Sequence, residues 1–77
     1  MTRPSAAEGR EIARAVFEPR SGESIESAAR RLLATGHADR PLGPRERAAA
    51  ELLQKRALGE NHRMIAAAEL LIGDASA

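Results

Sequence analysis

The sequence predicts an all-α fold, a compact bundle of four short helices. Three observations carry that prediction. Apolar residues recur at i, i+3, i+4 and i+7 in successive windows. The windows are bounded by capping residues, proline or glycine. No segment alternates apolar and polar residues for long enough to make a strand. A chain of 77 residues bounds this to one small domain, 1–77, with no internal repeat and no interdomain linker.

The first helix is expected over 6–17. Ser5 and Glu8 form an S-x-x-E capping box, in which each side chain satisfies a backbone N–H of the other's turn. Ile12, Ala13, Val16 and Phe17 share one face. Gly9 sits inside that face and would let another helix approach closely. Glu18-Pro19 ends the helix, because proline disfavours helical geometry in the residue before it. The second helix is expected over 24–35, with Ile25, Ala28, Ala29, Leu32 and Leu33 in one clean stripe and Gly36 as its C-terminal stop. Glu26 and Arg30 are spaced as an i, i+4 ion pair.

Residues 37–43 form a loop in which Pro41 forbids regular helix and Leu42 turns into the core. The third helix, over 44–58, opens on Pro44 at the favoured first position, with Glu46 near its positive end. Ala49, Leu52 and Leu53 face inward, and Gly59 is the expected stop. The fourth helix spans 61–72, capped by Glu60-Asn61, and 74–77 is a frayed tail. A link of only two or three residues makes the third and fourth helices an antiparallel hairpin.

The fourth helix is the least ordinary segment. Met64, Ile65, Ala67, Ala68, Leu70, Leu71 and Ile72 leave only His62, Ala66 and Glu69 as a narrow wettable edge. A helix apolar over more than half its circumference must be covered on two sides, and the expected second cover is another copy or a partner protein. Met64, Ala67, Leu70 and Leu71 are the expected interface. Arg56 joins them, since a third helix reaching 58 would set it among Ala49, Leu52 and Leu53, and arginine is enriched at interfaces.

Composition narrows the function classes. Cysteine is absent, which excludes disulfides and thiolate metal sites and favours a reducing compartment. Met1 to Arg10 lacks a signal-peptide core, and no stretch approaches the roughly 20 apolar residues that span a bilayer. A cytoplasmic protein without membrane contact is expected. The net charge of +1 argues against a strongly basic nucleic-acid binder. Phe17 is the single aromatic residue, so base-stacking platforms are absent. Arg10 and Arg14 stack at i, i+4, and Arg30 and Arg31 project from the second helix. These four are the candidate phosphate contacts, although Glu8, Glu11, Glu23 and Glu26 are interleaved with them. His37 and His62 are the only histidines, too few to read as a metal site. Neither a catalytic signature nor a cofactor motif occurs, so no enzyme, cofactor or metal is expected.

Leu42-Gly43-Pro44-Arg45-Glu46-Arg47, followed by Leu52-Leu53 and Ile65-Ala66, resembles the opening of a LuxR-type helix-turn-helix domain. The resemblance covers about a third of the chain and implies a scaffold helix from Pro44. The spacing from Leu53 to Ile65 is longer than that pattern, and its DNA-reading helix would fall after Gly73. No residue role is carried over from it. The expected function is that of a small non-catalytic interaction module, an adaptor or inhibitor that associates with itself or another protein through its fourth helix. The alternative is a dimeric DNA-binding regulator that uses the arginine face.

Overall fold

The computed structural model describes residues 3–73; the expected tail at 74–77 lies outside them. Four helices follow one another: α1 (Ala6–Phe17), α2 (Ile25–Thr35), α3 (Pro44–Leu53) and α4 (Glu60–Ile72). The described residues contain no strand. α4 packs most extensively against α1 and α3, α2 closes the bundle against α3 and α1, and α3 and α4 form the hairpin.

The helix ends follow local chemistry. Ser5 accepts the Glu8 N–H at 3.1 Å, and Glu8 accepts the Ser5 N–H at 2.8 Å. Glu18 cannot continue the helix in front of Pro19. It turns left-handed (φ 47°) and sends its N–H back to the Arg14 carbonyl. Ser24 caps α2 through the Ser27 N–H, and Gly36, at φ 71°, closes it against Leu32. Pro44 opens α3, and Glu46 accepts the Gly43 N–H at 2.9 Å.

The core is built largely from alanine. Ala13, Ala28, Ala29, Ala49, Ala50, Ala67 and Ala68 are fully enclosed, and Phe17, Ile25, Leu32, Leu42, Leu53 and Met64 fill the remaining volume. No polar or charged side chain is buried among the described residues. Small side chains let helix axes draw together, and one close approach is at Gly9, as the sequence predicts. A Cβ on Gly9 would stand 2.6 Å from the Met64 carbonyl oxygen. α1 thus lies directly on α4.

Three boundaries differ from the sequence expectation, two of them by one residue: α2 starts at Ile25 with Ser24 as its cap, and α4 starts at Glu60. α3 ends at Leu53 rather than 58. The Gln54 and Lys55 N–H groups reach back only three residues, to Glu51 and Leu52. The Gln54 side chain is drawn across to α2, where its Nε2 donates to the Glu26 carbonyl at 2.9 Å. Residues 54–59 are therefore the link, longer than expected. Gly59 is not the stop of α3 but the N-cap of α4. The Glu26–Arg30 pair also does not form. Arg30 donates to Gln54 Oε1 at 3.2 Å, and Glu26 faces Arg63 at 3.6 Å.

Candidate functional site

The covering of α4 decides which of its residues are available. α1 lies along one side and α3 along the other, so the chain itself supplies both covers that the apolar circumference demands. Met64 and Ala67 are enclosed in the chain's own core. Their expected place in a partner interface is corrected: no partner reaches them while the bundle is folded. Leu71 is half-buried against the same core. Leu70 stays exposed at 37%, as does Ile72 at 46%. Arg56 is also corrected. Because α3 stops at Leu53, Arg56 sits on the exposed 54–59 link and not on an apolar helical face.

The outward face of α4 can be read from its 3.6-residue period. With Met64, Ala67 and Ala68 turned in, Ile65 and Ala66 lie half-buried on the outer side and Leu70 and Ile72 are exposed. His62 and Glu69 are the polar residues among them, and Glu69 is bridged by Arg3 at 2.7 Å. The apolar surface continues onto α1 through a cleft of about 460 Å³ that Ile72 lines with Ile12, Pro4, Glu8 and Arg3. Ile65 and Ile72 were absent from the expected interface. The sequence signal was Gly9, which marks the face of α1 that another helix approaches but not the side of α4 that rests there.

The four expected phosphate contacts do not form one face. Arg10 is bridged to Glu60 at 2.7 Å. Arg31 forks onto Glu23 at 2.9 and 3.1 Å. The Arg31 guanidinium and the Arg20 N–H together hold the Glu23 carboxyl down at about 2. Arg14 is exposed and shares a cleft of about 480 Å³ with Arg10 and Arg20, where Glu23, Glu26 and Glu60 balance the charge. Arg30 lies elsewhere, in a cleft with Arg56 and Arg63.

The remaining polar cluster fixes the loop before α3. Arg40 forks onto Glu46 at 2.8 and 3.0 Å, and His37 Nε2 lies 3.5 Å from the same carboxylate. Arg40 lowers the Glu46 carboxyl to about 2, with help from the Gly43 N–H. Two of these three side chains are largely covered, and the cluster serves as a clasp between the 37–43 loop and α3. His37 on that loop and exposed His62 on α4 lie on different elements. No group of three or more His, Asp or Glu is placed to hold a metal ion among the described residues. None of the helices there is long and apolar enough to cross a membrane.

Compared with known proteins, the chain matches no family model, and no curated protein or solved structure is significantly similar to it. The LuxR-type resemblance of the 42–47 run therefore gains no support from these comparisons.

Proposed function

We propose that this protein is a small non-catalytic helical interaction module that pairs with a second copy of itself through the outer face of α4. One observation carries the reading. After the bundle has enclosed Met64, Ala67 and Ala68, α4 still turns Ile65, Ala66, Leu70 and Ile72 outward, with Leu70 and Ile72 the exposed large apolar residues of the described chain. Ile65 and Ile72 lie on one flank of this outer face and Leu70 on the other, with Ala66 between them; an apolar surface that continues across a helix face in this way is the mark of an interaction surface.

The pattern suits an isologous contact, in which one patch meets itself across a twofold axis. Antiparallel pairing of two α4 helices centred between Ile65 and Ala66 puts the small Ala66 at the crossing. It also sets His62 beside Glu69 of the second copy. Both polar residues of the face then meet an opposite or neutral partner.

Sedimentation equilibrium tests the reading. Wild type is expected to dimerise, and Leu70→Glu and Ile72→Glu are expected to be monomers with unchanged far-ultraviolet circular dichroism. A wild type that stays monomeric up to millimolar concentration would overturn it.

A further inference from the structure

We infer that the cleft between α2 and the 54–59 link is a binding site for the phosphate monoester group of a small polar ligand, gripped by Arg30, Arg56 and Arg63. These arginines come from three separate elements and converge on one cavity of about 320 Å³. Glu26 is the one acid among the lining residues, which leaves the cleft a formal charge of +2. The larger arginine-bearing cleft does not share this imbalance, since Arg10, Arg14 and Arg20 there meet Glu23, Glu26 and Glu60.

The three guanidinium groups are not saturated. Arg56 is exposed and makes no hydrogen bond or ion pair among the described residues. Arg30 spends only its Nε, on Gln54 at 3.2 Å. Arg63 is mostly covered, yet its Nε has no acceptor, and its other contacts are long: 3.4 Å to the Lys55 carbonyl and 3.6 Å to Glu26. A covered guanidinium left this loosely held gains more than an exposed one from a tetrahedral oxyanion that accepts from its fork. The first turn of α2 supplies the rest. The hydroxyl of Ser27 and the positive end of the helix dipole border the same cavity.

Charge and lining choose the ligand. A phosphate monoester carries about −1.5 to −2 at neutral pH and matches the cleft. A backbone phosphodiester carries a single charge and leaves it half-compensated. The lining holds no aromatic residue, and Leu53 is its one apolar side chain, so a nucleobase would find nothing to stack on. A sugar phosphate meets both conditions.

Titration of the ¹⁵N-labelled protein with ribose 5-phosphate at low ionic strength, read at the arginine Nε–H resonances, tests the site. Saturable shifts at Arg30, Arg56 and Arg63 are expected with ribose 5-phosphate, and none with ribose. Arg56→Gln lies on an exposed link and should fold normally while weakening affinity by about tenfold, the loss of one charge-assisted contact. Arg63→Gln should weaken it at least as much. Absence of saturation up to about 10 mM, tenfold above a millimolar Kd, would overturn the proposal. So would unchanged affinity in Arg56→Gln, or shifts confined to Arg10, Arg14 and Arg20. Duplex DNA binding more tightly than ribose 5-phosphate at those same three arginines would replace the small ligand with nucleic acid and end the proposal as stated.

Discussion

Gly9 and Gly59 have opposite roles, and substitution separates them. At Gly9 a methyl group would meet backbone atoms, the Met64 oxygen at 2.6 Å and its carbonyl carbon at 2.9 Å, neither of which can swing aside. Alanine favours a helix interior over glycine by about 0.8–1.0 kcal/mol, but forcing volume into a packed contact costs about 1–3 kcal/mol, occasionally more. Gly9→Ala should therefore destabilise the fold, by up to about 2 kcal/mol net, read as a lower urea midpoint with an unchanged slope. Gly59 caps α4 without a side-chain acceptor, and a Cβ there meets nothing within 4 Å. Gly59→Ser should raise the midpoint slightly, by a few tenths of a kcal/mol, because the hydroxyl can accept an orphan N–H of the first turn.

At the scale of elements, the ends set by neighbouring residues were legible and the end set at a distance was not. The Ser5–Glu8 box, Glu18-Pro19, Gly36 and Pro44 all act within a few residues of themselves, and each stands where the sequence puts it. The end of α3 has no such local cause. Gln54 to Leu58 is a run of good helix formers, and it unwinds because Gln54 is held by Glu26, 28 residues earlier in the chain. That one bond also explains Arg56, which periodicity put on a helical face and the fold puts on a loop. Removing it should loosen the link before anything else. Gln54→Ala removes that bond together with the exposed one that Gln54 Oε1 accepts from Arg30; it is expected to cost about 1–3 kcal/mol, and to raise amide exchange in 54–59 while α1 and α4 keep their protection. Uniformly faster exchange would mean instead that the link and the bundle open as one unit.

At the scale of the whole molecule, the breadth of apolar surface on α4 was legible and the identity of what covers it was not. A helical wheel counts the neighbours a helix needs but does not say whether they belong to the same chain. Here α1 and α3 take the places first assigned to a partner, leaving Leu70 and Ile72 as the unclaimed remainder. The convergence of Arg30, Arg56 and Arg63 was equally hidden, since only the folded path of the link brings the three together. Acid stability rests on two shorter-range clasps. Glu46 clasps the loop before α3, and Glu23 clasps the turn before α2. Both carboxyls lie at about 2, against an ordinary 4.5, held down chiefly by Arg40 and Arg31 respectively. A carboxyl with a depressed folded value releases its proton more readily folded than unfolded. Its stabilisation is complete above about 4.5 and is lost as pH falls towards about 2. The urea midpoint should therefore hold steady from pH 7 to pH 5 and drop through that acid window. Glu46→Gln should start lower at pH 7 and fall less steeply, because one linked proton is gone. A variant whose acid slope equals that of wild type would show that the Arg40–Glu46 clasp is not coupled to folding.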